Sequence, residues 1–550
     1  MAVFSASSQS KALRFCVWWA VMAYAVFCML TWMFSWKIMD YFLSENLQTS
    51  FFIWAVFLSL IGFYDVRQQR HSILRNYPVI GHFRYLIESV RPEIRQYLLE
   101  SDEESVPFSR VQRSLVYQRA KNLPSEQPFG SIIDVYATGH EFLSHSLTPV
   151  PRNAPETFRI NIGNVQCTHP YSASILNISA MSFGSLSANA IRALNAGAER
   201  GNFYHDTGEG SISPYHLERN GDIVWELGSG YYGCRDEKGN FDPVRFAEKV
   251  ALPNVKMIEI KMNQGAKPGH GGILPKEKIT PLVAEVRGIP MGQDCISPSA
   301  HSAFSTPLQL MEFIQKLREL SQGKPVGFKI CVGRPSEFMS IVKAMLQTGI
   351  YPDFIVVDGS EGGTGAAPVE FASHMGMPLR EGLLLVHNTL VGVGLREHVR
   401  IGAAGKIISA FDIVRALALG ADWVNSARGF LFALGCVQSM SCQNNKCPTG
   451  VATQDERRQK ALDVVNKTER VYRFHRNTLL SLSEMLAAAG LAHPADIRPE
   501  HLVVRVSEVE VQTYANRYKF LFPGDLLAGT DVHPSYRDAW NRASAEAFSA

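Results

Sequence analysis

The 550-residue sequence contains little cysteine and almost no excess of either charge sign. Its nine cysteines are too few for a disulfide framework, so we expect a reducing compartment. The 54 basic and 51 acidic side chains give a formal net charge of +3, whereas a nucleic-acid-binding protein carries a clear basic excess. With 46% hydrophobic and 19% charged residues, the composition is that of a globular protein and excludes collagen-like and disordered chains.

Two long uncharged runs near the N-terminus depart from this ordinary composition. The first run lies between Arg14 and Lys37 and is long enough, as a helix, to cross a hydrocarbon core of about 30 Å. A secretory signal peptide is the alternative, but its apolar stretch would be shorter and would end at a small-residue cleavage site. The sequence SWKIMDYF follows instead, so we predict a transmembrane helix.

The second uncharged run lies between Glu45 and Asp65, and its densest part, residues 51–64, is short for a full span. A transmembrane hairpin over residues 1–64 and a buried or interfacial second helix are therefore both open. Because basic residues flank the pair, the positive-inside rule predicts an inner-membrane protein whose catalytic domain faces the cytoplasm. These basic residues are Lys11, Arg14, Arg67, Arg70 and Arg75.

The remaining sequence divides into three segments. Residues 65–150 have helical spacing and are predicted to be a juxtamembrane connector, or alternatively part of the next domain. Residues 151–490 form the predicted catalytic domain, and residues 491–550 a C-terminal extension. From residue 174 onward, eight β-rich runs alternate with amphipathic helical stretches, which predicts an α/β fold, a closed (β/α)8 TIM-type barrel with its chemistry at the carboxyl ends of the strands. The runs are SILNISAM, FYHDTG, KMIEIKM, QDCISP, VGFKICVG, FIVVDGSEGG, VRIGAAGK and DWVNSARG.

One cation and two glycine-rich turns are the first candidates for cofactor binding. Lys329 lies within the apolar run GFKICV and should face an anionic or polarised partner such as a flavin, or else reach water at the strand end. The turns at 358–368 and 402–406 follow late strands, where a barrel usually binds phosphate. A nominal G-x-G-x-x-G at 228–233 is not followed by a helix, so no dinucleotide site is expected there.

Three cysteines and several strand-end polar residues are the other candidates. Cys436, Cys442 and Cys447 are spaced C-x5-C-x4-C, which differs from structural zinc but supplies one thiolate per iron of a three-iron cluster. Three unrelated buried cysteines are the alternative. An acid, cations and an amide near strand ends suit a dicarboxylate substrate, and these residues are Glu209, Lys261, Gln264, Lys267 and His301.

These motifs together resemble a known family. ISAMSFGSLS, DTGEGS, KMNQGAKPGHGG, DGSEGGTGAAP and above all LGCVQSMSCQNNKCPTGVATQD are similar to the FMN-binding synthase domain of glutamate synthase, over residues 150–490. The N-terminal hairpin resembles that of membrane-anchored, stand-alone members. The resemblance implies FMN in the barrel, a [3Fe-4S] cluster that passes electrons to it, and hydride transfer to 2-iminoglutarate, formed from 2-oxoglutarate and ammonia, to give L-glutamate.

The resemblance also implies roles for individual residues. Glu209 would handle the ammonia-derived proton, Lys329 would face the N1/O2 edge of the flavin, and the substrate would lie among Lys261, Gln264 and Lys267. Ala180, Met181 and Ser182 would line the flavin ring, Gly362, Gly363, Thr364 and Gly405 would hold the phosphate, and Cys436, Cys442 and Cys447 would bind the cluster. The sequence departs from the family at Ala403 and Ala404, which replace part of an aspartate-glycine-glycine turn, and at Arg428, which replaces a small polar residue. We therefore expect Arg428 to hold part of the phosphate, and Gly429 is a further candidate for cofactor binding.

The sequence departs from the large family members in ways that affect its partners. Residue 2 is alanine, whereas a glutaminase domain needs an amino-terminal cysteine nucleophile, so ammonia or a related amine is expected from solution or a partner. Electrons are expected from a separate ferredoxin, flavoprotein or quinol. Two alternatives stay open: another FMN-dependent amine or imine conversion such as N-methylglutamate formation, and a non-catalytic electron-transfer subunit, against which Lys329 and Glu209 weigh.

Overall fold

The computed structural model describes residues 26–27, 29–33, 45–68, 71–99, 107–528 and 533–548. The chain forms two compact units, residues 1–101 and 102–550. Most of the first predicted membrane segment, residues 15–36, lies outside the described residues. The described part of that segment, residues 26–27 and 29–33, is helical and exposed.

In its described residues from 45 to 99, the first unit has the helices Glu45–Arg67, Ser72–Asn76 and Ile80–Ile94, followed by a π-helical turn, Arg95–Leu99. Within the described residues, Thr49–Arg67 is the stretch long and apolar enough, by length and composition, to cross a membrane. The second uncharged run is thus part of a longer helix than its densest apolar residues indicate. At the end of this helix the buried carboxylate of Asp65 accepts a hydrogen bond from the Val79 amide at 2.9 Å.

The second unit is built on eight parallel strands that close into a barrel, which confirms the predicted fold. Each strand pairs with the next along the chain, and the eighth pairs with the first. The strand residues are mostly buried because the strands lie between the barrel axis and the surrounding helices. The strands are β1 (Leu176–Ile178), β2 (His205–Asp206), β3 (Ile223–Leu227), β4 (Val255–Lys261), β5 (Val326–Ile330), β6 (Phe354–Asp358), β7 (Arg400–Ala404) and β8 (Trp423–Ser426).

Two strand assignments differ from the sequence-based prediction. The run QDCISP is not a barrel strand, because Cys295–Ile296 pairs antiparallel with Ile273–Leu274 in the long connection after β4. Its place in the barrel is taken by β3, in which all five positions are buried. Both segments are short, but QDCISP contains Gln293, Asp294, Ser297 and Pro298, and Ile296 is 64% exposed.

The helices between the strands begin where the sequence supplies caps. Ser187, Thr306 and Ser409 each accept a hydrogen bond from a backbone amide in the first turn of the helix that follows, which satisfies donors that would otherwise lack a partner. The helices after β1 to β8 are Ala188–Gly201, Pro214–Leu217, Pro243–Val250, Pro281–Arg287, Pro307–Leu320, Pro335–Thr348, Val369–His374, Leu379–Gly392, Ala410–Ala418 and Arg428–Leu434.

Segments that precede β1 and follow β8 in the sequence form two small antiparallel sheets. Glu141–Leu143 pairs with Leu502–Arg505, which pairs with Val511–Thr513. A second antiparallel pair, Arg159–Ile162 with Tyr171–Ser174, precedes β1. The remaining helices of this unit are Arg110–Lys121, Glu456–Lys460, Val464–Ala488, Tyr514–Arg517, Asp525–Ala528 and Pro534–Arg542.

The helix Arg110–Lys121 contacts the predicted cysteine segment directly. The Tyr117 hydroxyl donates a hydrogen bond to the Cys436 carbonyl at 2.6 Å. Just before this helix, the Phe108 ring lies edge-on against Phe432, in the helix that precedes the cysteine segment. This part of the predicted connector therefore belongs to the barrel unit, which is the alternative that the sequence left open.

Candidate active site

A pocket at the carboxyl ends of the barrel strands brings together most of the predicted site residues. Cys442 lines it, whereas His301, Gly429, Cys436 and Cys447 do not. The other predicted residues that line the pocket are Ala180, Met181, Ser182, Glu209, Lys261, Gln264, Lys267, Lys329, Gly362, Gly363, Thr364, Gly405 and Arg428.

An ion pair lies at the centre of this pocket. Lys261, the last residue of β4, places its Nζ 3.0 Å from Oε1 of Glu209, which follows β2. Burial alone would raise the pKa of the Glu209 carboxyl, but Lys261, Arg287 and Lys267 outweigh burial and hold this pKa below its ordinary value. Glu209 is therefore an ionised base at neutral pH.

Two glycines make room for the Glu209 carboxylate. A Cβ atom on Gly228 would lie 2.7 Å from Glu209 Oε2, and a Cβ atom on Gly272 would overlap Oε1. Gly228 belongs to the G-x-G-x-x-G sequence at 228–233, and the next helix begins only at Pro243. That motif thus packs against the acid of the site, and its first glycine is required by this close approach.

Polar side chains from the connection after β4 surround the ion pair. The amide Nε2 of Gln264 donates to Thr364 Oγ1 at 3.1 Å, which joins this connection to the loop after β6. Lys267 is buried, and burial together with the charge of Lys261 lowers the pKa of its ammonium group. Two cationic lysines and an amide donor beside one carboxylate suit a dicarboxylate ligand.

His301 lies outside the pocket lining and contacts the backbone of Lys261. Its Nε2 lies 2.9 Å from the Lys261 carbonyl oxygen and its Nδ1 lies 2.9 Å from the Tyr231 hydroxyl. Burial lowers the pKa of His301 to about 4, so the ring is neutral at physiological pH. It fixes the backbone at Lys261 and does not contact the pocket.

Lys329 is enclosed by carboxylates. Its Nζ lies 3.0 Å from Glu226 Oε2, and the residue is 6% exposed, so the alternative in which it reaches water is wrong. Burial lowers the pKa of an ammonium group, but four carboxylates raise the pKa of Lys329 above its ordinary value. These carboxylates are Glu226, Asp358, Glu259 and Asp206.

Three of these acids form a compact group that we call the carboxylate cluster: Asp206, Glu226 and Glu259, whose nearest oxygens all lie within 4.8 Å of one another. Burial, followed by the charge of Glu226, raises the pKa of Asp206 to about 7. The pKa of Glu259 is raised well above its ordinary value by burial and by Asp206. Because adjacent buried carboxylates cannot all stay ionised, the cluster retains protons at neutral pH.

The opposite end of the pocket carries backbone turns and cations. We call Gly362, Gly363 and Gly405 the glycine cradle. A Cβ atom on Gly363 would lie 2.7 Å from Arg428 Nε, and Arg428 Nη2 donates to the Thr364 carbonyl at 2.5 Å. Lys406 lines the same end, so two cations beside glycine turns suit a phosphate group. Gly429 instead packs against Ser426 and Phe474.

The cysteine segment lies beside this phosphate end. Arg428 Nη1 is 3.8 Å from Cys442 Sγ, and the buried ammonium of Lys278 donates to the Cys442 carbonyl at 2.6 Å. Burial raises the pKa of Cys436 to about 11. In the described part of the chain, the three sulfurs are not gathered within 4.8 Å. One tetrahedral zinc ion would draw them to about 4 Å, so the arrangement does not fit a single ion.

Several residues of the pocket were not predicted from the sequence. Glu226 and Asp358 could have been found by the argument applied to Lys329, because each is an isolated charge in an apolar strand. Lys406 is the last residue of the predicted glycine turn at 402–406, but it was not itself predicted as a site residue. Phe108 and Asn425 carried no comparable signal.

A closed barrel with a polar pocket at its carboxyl face, a glycine cradle and buried lysines defines a cofactor-dependent (β/α)8 barrel enzyme. Residues 143–492 match the family described as "Conserved region in glutamate synthase". The chain therefore belongs to the glutamate synthase family. Its enzyme class is that of oxidoreductases acting on CH–NH2 donors.

Curated relatives agree with this assignment. The chain is 37% identical over 481 residues to the glutamate synthase large subunit-like protein YerD of Bacillus subtilis (strain 168), covering 80% of this chain and 91% of YerD. It is 34% identical over 313 residues to the archaeal-type glutamate synthase [NADPH] of Thermotoga neapolitana, covering 57% of this chain and 58% of that protein. It is 33% identical over 315 residues to the archaeal glutamate synthase [NADPH] of Methanocaldococcus jannaschii, again covering 57% and 58%.

Solved structures also resemble the chain. A flavocytochrome b2 variant with pyruvate bound has 15% sequence identity and a TM-score of 0.40, covering 84% of this chain and 93% of its own. Mandelate oxidase with (S)-2-phenylpropionate has 17% identity and a TM-score of 0.39, covering 74% and 99%.

Proposed function

We propose that this protein is an FMN-dependent, glutamate-synthase-like oxidoreductase that forms L-glutamate from 2-oxoglutarate and ammonia. The observation that carries this proposal is the Glu209–Lys261 ion pair, which lies in the same pocket as Lys267 and the glycine cradle. The family match over residues 143–492 supports the same reaction class.

The lining of the pocket fits FMN. Arg428, Lys406 and the glycine cradle would hold the phosphate, and Ala180, Met181 and Ser182 would lie along the ring. The buried ammonium of Lys329 would stabilise negative charge on the pyrimidine end of the ring. When bound and reduced, FMN supplies the hydride for an imine substrate.

The chain's own residues account for substrate binding and proton handling. Lys261 and Lys267 would bind the carboxylates of 2-oxoglutarate by charge-assisted hydrogen bonds. Glu209, ionised because its pKa is lowered, would accept a proton from ammonium and return it to the hydroxyl that leaves as water. Gln264 would orient the substrate from the loop that it shares with Thr364.

The functional test is an anaerobic half-reaction. The purified protein is photoreduced, and its flavin absorbance is followed after 2-oxoglutarate and ammonium are added. We expect rapid reoxidation that requires both compounds. A flavin that stays reduced with both present, but reoxidises with 2-oxoglutarate and methylamine, would contradict glutamate formation and point to N-methylglutamate formation.

We further propose that Cys436, Cys442 and Cys447 bind a [3Fe-4S] cluster that transfers electrons from a separate donor. This is supported by three free thiols in one segment and by the contact of Arg428 with both Cys442 and the Thr364 loop. We expect Cys442→Ser to lose its iron, measured by iron analysis and electron paramagnetic resonance. Cys167→Ser is the matched control, because the Cys167 thiol bonds to the Gly323 carbonyl outside this segment. Full iron content in Cys442→Ser would contradict the cluster assignment.

Attachment to the inner face of the cytoplasmic membrane is a third part of the proposal. It is supported by the apolar helix Thr49–Arg67 and by the helix Ile80–Ile94, which exposes one apolar face suited to the lipid interface. The exposed side chains of that face are Ile80, Phe83, Ile87, Val90 and Ile94. We expect the full chain to sediment with membranes after an alkaline carbonate wash. Recovery of the full chain in the supernatant would contradict this attachment.

A further inference from the structure

Two adjacent tyrosines in the loop after β3 lie behind the Glu209 carboxylate. They belong to the sequence GSGYYG at 228–233, and both are buried. Tyr231 extends toward His301, where its hydroxyl lies 2.9 Å from Nδ1. Tyr232 extends toward Cys295 and Ser297, at the short strand Cys295–Ile296 and directly after it. The two hydroxyls therefore have separate partners although the residues are neighbours.

A continuous line of hydrogen-bonding groups connects Tyr232 to Glu209. The Cys295 thiol donates to the Tyr232 hydroxyl at 3.0 Å. The Tyr232 hydroxyl lies 3.3 Å from Ser297 Oγ, and Ser297 Oγ donates to Glu209 Oε2 at 3.4 Å. The three donors can be oriented in one direction, so that each passes a proton toward the carboxylate.

The line joins two separate cavities. Glu209 faces the active-site pocket, whereas Tyr232 and Cys295 line a second cleft on the far side of the same wall. Polar residues line this second cleft and give access to solvent protons, namely Arg235, Asp236, Arg245 and Asp294. Ser297 lies between the two cavities and is 5% exposed. A proton could thus reach Glu209 while substrate and cofactor fill the active-site pocket.

The proposed reaction requires such a supply. The 2-oxoglutarate dianion and one ammonium ion condense to the iminium form of the substrate and water without net proton exchange. Transfer of a hydride to the iminium carbon forms the C–H bond and leaves a neutral amine. One proton from solvent must then bind the nitrogen to give the ammonium group of L-glutamate. Glu209 lines the pocket beside Lys261 and would donate this proton, so it would need one proton per turnover.

We propose that Cys295, Tyr232 and Ser297 form a proton relay that supplies Glu209 from the second cleft. This inference rests on the proposed function, and within it only Glu209 touches the substrate. Burial raises the pKa of Tyr232, so its hydroxyl stays neutral and passes one proton on as it receives another. The charged and titratable groups that face Glu209 from the neighbouring elements are Lys261, Lys267, Arg287 and His301, and the relay variants leave all four in place.

The relay is tested with Tyr232→Phe and Ser297→Ala, each compared with Tyr231→Phe. The control removes a buried hydroxyl from the same loop; this hydroxyl lies 2.9 Å from His301 Nδ1 and accepts a hydrogen bond from the Ala303 amide at 3.2 Å. Reoxidation of the photoreduced proteins by 2-oxoglutarate and ammonium is measured across pH in H2O and D2O. Flavin content and melting temperature are recorded for every variant, so that a folding defect is recognised.

We expect Tyr232→Phe and Ser297→Ala to reoxidise roughly ten- to a hundredfold more slowly, because they lose an assisted proton transfer. Their solvent isotope effect should exceed that of the wild type, and their rate should fall more steeply as pH rises. Ser297→Thr, which keeps the hydroxyl, should recover the wild-type isotope effect. An active wild type with Tyr232→Phe and Ser297→Ala indistinguishable from the wild type in rate and isotope effect would overturn the relay alone. A wild-type protein that is not reoxidised by both substrates would overturn the proposed function and the relay with it.

Discussion

The barrel contains two sets of carboxylates that differ in their nearest charges. Glu209, at the pocket, is paired with Lys261 at 3.0 Å and faces two further cations. The carboxylate cluster of Asp206, Glu226 and Glu259 lies inside the barrel and shares the single cation of Lys329. Both sets are largely removed from water, yet the pKa of Glu209 is lowered while the pKa of Asp206 is raised to about 7.

This difference shows that the number of neighbouring cations, more than burial, decides the protonation state of these acids. Desolvation favours the neutral form in both places. At Glu209, the nearby charges of Lys261, Arg287 and Lys267 outweigh desolvation and lower the pKa. The pocket therefore contains an ionised base. The cluster instead holds protons and keeps Lys329 charged beneath the predicted flavin position.

The largest expected effect comes from removing the paired carboxylate of the pocket. Glu209→Gln should lower the rate of flavin reoxidation by 2-oxoglutarate and ammonium about 100- to 10,000-fold, because a general acid–base group is lost. Stopped-flow absorbance of the photoreduced protein measures this rate. Glu218→Gln, which alters a carboxylate paired with Arg192 on the outside of the barrel, should leave it unchanged. A Glu209→Gln rate within about twofold of the wild-type rate would contradict the role of Glu209 in proton transfer.

The next effect concerns the single cation of the cluster. Lys329→Met leaves three buried acids without their cation and should lower the free energy of unfolding by about 3–5 kcal/mol. Urea denaturation at neutral pH measures this loss. The double variant Lys329→Met/Glu226→Gln should be more stable than the single variant, because the acid 3.0 Å from Nζ is then also neutral. If the double variant is no more stable, the two side chains are not coupled as described.

The smallest effect is a change in the pH dependence of stability. The pKa of Asp206 is about 7 in the folded protein, against 3.8 for an ordinary aspartate. Between these values the folded state binds a proton that the unfolded state lacks, so the contribution of Asp206 to stability falls as pH rises from about 4 to 7. Asp206→Asn removes this dependence.

Asp206→Asn should therefore cost more stability near pH 5 than near pH 8, by roughly 1–2 kcal/mol. Urea denaturation of both proteins at a series of pH values measures the difference. Glu209→Gln should behave oppositely, because a lowered pKa stabilises the folded state above the ordinary value of 4.5 and loses this contribution as pH falls. Parallel stability curves for wild type and Asp206→Asn would contradict the cluster's raised pKa.

The sequence predicted the barrel and most of its pocket because both depend on local signals. Seven of the eight strand runs were placed correctly by apolar patterning, and glycine turns marked the phosphate end. The run at Cys295 was misassigned because it is as short and as polar as the run FYHDTG, whose two residues His205–Asp206 do form a barrel strand.

The cluster and the relay could not be predicted because they depend on closure of the barrel. Asp206, Glu226 and Glu259 lie on three consecutive strands and meet only when their side chains point to the barrel axis. Tyr232 and Ser297 are separated by 65 residues. An isolated acid in an apolar strand indicates that a partner is needed, but it does not identify the partner.

The most direct test of the account identifies the product of one turnover. The anaerobically photoreduced protein is mixed with 2-oxoglutarate and [15N]ammonium, and the quenched mixture is analysed by mass spectrometry. We expect one [15N]glutamate per flavin, formed by the wild type and by Glu218→Gln but not by Glu209→Gln. A fully reduced, fully loaded wild-type protein that forms no labelled glutamate would contradict it.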